Sequence, residues 1–179
     1  MSRGILAGLL LSALTLPGIS RSDSAVSIEF NGATFVLKYH KTLRNGVINE
    51  YFLPTESVES WTQLISVQWF AELDDHRTAV GDLIKTLLGY NPQARYDAWK
   101  SDDGLFTGVD FLTWQGDQYV EFNIFVYRAH SAGRGLVAQQ YAARAYGEDR
   151  RAFMAGLDAL RNEMLEKVMG YRFPEVIAE

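Results

Sequence analysis

The sequence predicts one α+β domain: a mainly antiparallel sheet built from hairpins and covered by two main helices. Three observations lead there. Short runs that alternate apolar and polar residues recur along the chain, the period of half-buried strands. Two longer segments, about 75–88 and 149–169, repeat apolar residues at helical spacing instead. Strands then come in hairpin runs, with one helix between the runs and one at the end. That order suggests a sheet covered by helices.

The strands begin at Ser27–Phe30 and Ala33–His40, which flank Asn31-Gly32, the strongest short hairpin signal. Val47–Leu53 follows Asn45-Gly46, a second such signal. Trp61–Phe70 alternates Leu64, Ser66, Gln68 and Phe70 against Ile65, Val67 and Trp69, and reads as a strand. In the first helix Asp74 or Asp75 is the N-cap, and Val80, Leu83, Ile84, Leu87 and Leu88 form one stripe. Gly89 is placed as its C′ residue, with Pro92 forbidding continuation. Arg95–Lys100, Phe106–Trp114, Gln118–His130 and Leu136–Tyr146 follow as strands; the last is Ala-rich, and helix is its alternative. In the second helix Phe153, Leu157, Leu160, Met164 and Val168 make the stripe and Gly170 ends it. Both stripes are expected to lie on the sheet, with Leu83, Leu87, Leu157 and Leu160 nearly buried.

Over Ser27–Gly170, this order of elements and the chain length resemble the PsbP-type α/β/α sandwich of a photosystem II subunit and of small exported bacterial proteins. The resemblance is one of element order. It implies a fold and an exported setting, and it assigns no functional residue.

The N-terminus points to export independently. Arg3, the apolar run Ile5–Leu16, Pro17-Gly18 and a Ser-rich stretch have the layout of a secretory signal peptide. A run of about a dozen residues is too short to cross a bilayer as a helix. Small residues before the bonds after Ser20 and Ser24 make both candidate cleavage sites. The expected organisation is a leader over 1–24 and one domain over 25–179, soluble and periplasmic or secreted after cleavage. The chain has no Cys, which excludes a lipidated-Cys anchor and disulfides. Its net charge is −5, with no Lys/Arg block, so nucleic acid and anionic membrane are poor partners.

No catalytic motif is found. His40, His76 and His130 lie far apart in sequence, with no metal-ligand spacing, and no metal or cofactor is expected. Ser101-Asp102-Asp103-Gly104 lacks the alternating carboxylates of a calcium loop and reads as a turn. His130–Gly135 lacks the third Gly of a dinucleotide fingerprint and reads as a hairpin turn.

One polar constellation has geometry behind it. Gly116-Asp117 suits a two-residue type II′ turn, so Gln115 faces Gln118, Phe111 faces Phe122 and Asp110 faces Asn123. The turn Ser131–Arg134 sets His130 opposite Gly135, so Phe122 faces Ala143 and Glu121 faces Arg144. One face is then apolar: Val109, Phe111, Val120, Phe122, Ile124 and Ala143. The other carries Asp110, Glu121, Asn123 and Arg144 among Trp114, Tyr119, Phe125, Tyr127 and Tyr146. The candidate binding residues are Asp110, Glu121, Asn123, Arg144, Tyr119 and Tyr127, with no catalytic assignment. The plainer alternative is a cross-strand ion pair on a wet face, contributing a few tenths to about 1 kcal/mol. The expected function is a non-enzymatic binding or accessory module for a small ligand or an envelope protein. A hydrolase using dispersed His, Asp and Ser residues, or an envelope or secretion-assembly component, is the alternative.

Overall fold

A computed structural model describes residues 27–174. The expected leader and its cleavage bonds lie outside the described residues. Eight antiparallel strands form one sheet: β1 (Ser27–Phe30), β2 (Ala33–Leu43), β3 (Gly46–Phe52), β4 (Gln63–Phe70), β5 (Arg95–Lys100), β6 (Phe106–Gln115), β7 (Tyr119–Ala129) and β8 (Leu136–Tyr146). Their spatial order is β1-β2-β3-β4-β8-β7-β6-β5. Two four-strand meanders therefore meet at β4 and β8, which pair from Gln63 with Ala143 to Phe70 with Leu136.

Helix α1 (His76–Tyr90) connects the meanders and α2 (Asp149–Gly170) follows the second. They cover opposite faces. Ala79, Val80, Leu83 and Leu87 of α1 pack on Val109, Phe111, Phe125, Tyr127 and Ala138. Met164 and Val168 of α2 pack on Leu112, Phe122, Ile124, Val126 and Tyr141, residues of the other parity. Phe30, Tyr171 and Phe173 close that second core with ring centroids 4.7–5.3 Å apart. This closure explains a departure from expectation. Leu83 and Leu87 are buried, but Leu157 and Leu160 are only half-buried, because α2 is enclosed toward its C-terminal half.

Local chemistry accounts for most boundaries. The Asp75 carboxylate caps α1 by accepting from the backbone N–H groups of Arg77 and Thr78, both at 3.2 Å. The helix runs through Gly89 to Tyr90, one turn-end later than predicted. Asn91 caps it by donating its N–H to the Leu87 carbonyl. Asn31 and Gly32 take φ of 51° and 76°, the left-handed pair that a type I′ hairpin requires. The second Asn-Gly behaves differently. The β2–β3 loop is Arg44-Asn45, and Gly46 is already a strand residue opposite Leu43 and Phe70. A Cβ there would lie 2.1 Å from the Trp69 carbonyl oxygen, so glycine serves close approach rather than turning.

Leu136–Tyr146 is a strand. Pairing on both sides, with β4 and β7, outweighs the helix preference of its alanines.

Candidate functional site

The β7–β8 register is the expected one: His130 donates to the Gly135 carbonyl, and Glu121 lies directly opposite Arg144. The β6–β7 register is not. The loop is Gly116–Gln118, three residues rather than two, so Gln115 pairs with Tyr119 and every later pair moves by one. A one-residue slip exchanges the two faces of a strand. Phe111 and Val109 therefore lie under α1, and Asp110 moves to the α2 face opposite Ile124. There Asp110 binds Arg161 of α2 through both carboxylate oxygens, at 2.7 and 2.9 Å, while Arg161 also reaches Asp97 of β5. Asp110 thus ties α2 to the sheet and leaves the candidate site. Tyr127 leaves it too. It is 1% exposed beneath α1, stacked on Phe125, and burial holds its hydroxyl above the usual tyrosine range.

Glu121, Asn123, Arg144 and Tyr119 remain together, joined by Gln140 of β8 and by Ser66 and Gln68 of β4. On the α1 face, beyond the reach of α1, a polar row crosses β4, β8 and β7. Gln68 donates to Ser66 at 3.0 Å and to Gln140 at 3.5 Å. Gln140 donates to Asn123 at 2.8 Å, and Asn123 donates to Glu121 at 2.8 Å. Arg144 completes the row with two donors on the other Glu121 oxygen, at 2.8 and 2.5 Å. Ser66 and Ala142, small and fully buried, form the floor over which these longer side chains meet.

The ion pair is dry rather than wet. Glu121 is 5% exposed, and the Arg144 guanidinium sits 3.9 Å from the Trp61 ring centroid and 4.2 Å from that of Tyr119. Burial pulls Arg144 down, but Glu121 and Tyr146 outweigh it and hold the guanidinium above its usual range. Trp61 comes from the segment between β3 and β4, so it stands over the sheet instead of within it. Lys38 fastens that segment by donating to the carbonyls of Leu53, Pro54 and Glu56. Glu56 in turn accepts from the Thr62 N–H at 2.8 Å. The Tyr146 hydroxyl donates to the Trp61 carbonyl at 3.0 Å.

Glu50 of β3 is the residue that sequence reasoning missed. It shares a cross-strand line with Tyr39, Ser66 and Gln140, and it is 7% exposed. No hydrogen bond or ion pair reaches its carboxyl among the described residues. Burial, then the negative charge of Glu121, push that carboxyl up to about 7 against the pull of Arg144. Apolar Phe52, Trp61 and Leu64 pack on one side of it, with Tyr39 against them. The signal in the sequence was Ser66 and Gln68 on one parity of β4, but nothing local paired them with Glu50 across a turn-and-loop connection.

The three histidines each have a structural neighbour. His40 pairs with Asn49, His76 with Thr107 and the His130 ring packs on Trp69, in three separate places. Ser101–Gly104 and His130–Gly135 are hairpin turns, with positive φ at Gly104, Gly133 and Gly135. Among the described residues no group of three or more His, Asp or Glu side chains is placed to hold a metal ion. None of their helices is long and apolar enough to cross a membrane.

No curated protein and no solved structure matches this chain. One family model does, and it takes in the whole polar row and both helices. The chain therefore belongs to the family whose model spans residues 23–173.

Proposed function

We propose that this protein is an exported, soluble, non-enzymatic binding or accessory module of the bacterial envelope, with its ligand seat at the Glu50–Glu121–Arg144 end of the polar row. The observation that carries this reading is the row itself. Burying so many polar side chains stabilises a fold less than apolar packing of the same volume does. A buried polar row rimmed by Trp61, Tyr119 and Tyr146 has the mixed character of a ligand site. Export rests on the Arg3 to Ser24 layout, and recovery of the cleaved chain from the periplasmic fraction tests it. An intact Met1 terminus in the cytosol overturns it.

Binding is tested by native purification from the envelope and mass spectrometry of released small molecules. The control is the double variant Glu121→Gln with Arg144→Met, which replaces both charges of the ion pair at once and strands neither of them. A compound carried by the natural chain and lost from the folded double variant supports the seat. Equal carriage by both places the ligand elsewhere.

Glu50 favours a second reading, a hydrolase. A carboxyl that still holds a proton near neutral pH is a general acid by disposition, and perturbed groups of this kind cluster at active sites. Hydrolysis of ester or glycoside substrates that disappears in Glu50→Gln, with the fold retained, would favour this reading over simple binding.

A further inference from the structure

We infer that the seat takes a cationic group, an ammonium or guanidinium nitrogen, with Glu50 as its counter-ion. The inference rests on the binding reading above and deepens it. Two acidic side chains, Glu50 and Glu121, interact with each other and with one cation, Arg144, at this end of the row. That cation is committed to Glu121 and Tyr146. Its Nε and Nη2 both donate to Glu121, its Nη1 donates to Tyr146 at 3.3 Å, and its faces are covered by Trp61 and Tyr119. The donors of the row also run the wrong way to help Glu50. Gln68, Gln140 and Asn123 pass their N–H groups along toward Glu121.

Glu50 is left as a buried carboxyl with no donor among the described residues. Desolvated carboxylates of this kind are costly unless they are paired. β2 contributes Tyr39, whose hydroxyl is held above its usual range by burial and by Glu50 itself. β4 contributes the neutral Ser66 and Gln68, β7 the Glu121 carboxylate and Tyr119, and β8 Arg144 and Tyr146. The nearby Lys38 is spent on three backbone carbonyls. The missing partner is thus a positive N–H donor. Tyr39, partly exposed and directly opposite Glu50, offers an aromatic ring of the kind such cations favour. Binding is an exchange: the cation enters as the Glu50 proton leaves to solvent, and no covalent bond changes.

The test uses the purified chain with propylammonium and methylguanidinium chloride, against sodium chloride at equal ionic strength. The Glu50 side-chain carboxyl resonance of labelled protein is followed by NMR. Saturating probe is expected to lower the Glu50 titration midpoint by about two pH units, and affinity is expected to rise about tenfold from pH 6 to pH 8. Calorimetry in two buffers of different ionisation enthalpy should report proton release below about pH 7. Glu50→Gln should lose both the pH dependence and about tenfold or more in affinity. Should that variant fail to fold, the midpoint shift in the natural chain decides alone. An unmoved Glu50 resonance, or equal binding by Glu50→Gln, overturns the cation assignment. If these probes fail while an anionic or neutral compound from the envelope is retained by the natural chain and lost from the Glu121→Gln, Arg144→Met variant, the seat stands and only its ligand class falls.

Discussion

Removing the Glu50 charge should stabilise the protein, and only above mildly acidic pH. The carboxyl ionises near 4.5 in an unfolded chain and at about 7 in the folded one. Below the first value both states are protonated and Glu50 costs nothing. Between the two, the unfolded chain loses its proton first, so folding stability falls as pH rises. Above about 7 the loss is complete, and the separation of the two values corresponds to roughly 3 kcal/mol. Glu50→Gln keeps the shape of the side chain and abolishes the ionisation. Urea unfolding followed by tryptophan fluorescence at several pH values between about 5 and 8 measures the effect. Subtracting the variant's profile from that of the natural chain isolates the contribution of Glu50. The advantage of Glu50→Gln should be smallest at the acid end, about 1 kcal/mol or less, and reach up to roughly 3 kcal/mol at the alkaline end. Two midpoint curves that run parallel across this range would refute the assignment of Glu50 as a buried, unpaired acid.

Other perturbations probe the architecture. Leu87→Ala, at a side chain 2% exposed on the sheet-facing side of α1, should lower the denaturant midpoint by an amount worth about 2–5 kcal/mol, since a cavity adds to the lost transfer energy. Glu121→Gln should cost about 3 kcal/mol by the same assay, because it leaves a buried Arg144 charge short of its partner; a loss under about 1 kcal/mol would mean the pair is wet. Gly46→Ala should lower the thermal midpoint markedly, as its Cβ would meet the Trp69 carbonyl in a paired strand, and an unchanged midpoint would contradict the close approach of β3 and β4.

Local sequence was enough to determine the α+β class, nearly every strand, the Asp75 cap, the Asn31-Gly32 turn and the Glu121–Arg144 pairing. Each depends on residues close in the chain or on a hairpin with an unambiguous turn. The side of the sheet on which Asp110 lies was decided by tertiary structure. Both faces of β6 and β7 are buried, one under α1 and one under α2, so apolar residues on either parity satisfy the pattern. The alternation that normally sets register then carries no preference, and a three-residue loop in place of a two-residue one moved Asp110 to Arg161. Glu50 was hidden for a related reason. Its strand is buried at nearly every position, so it reads as an interruption in an apolar run. Its neighbours Ser66, Gln140 and Arg144 come from β4 and β8, and only the antiparallel docking of the two meanders brings those strands together.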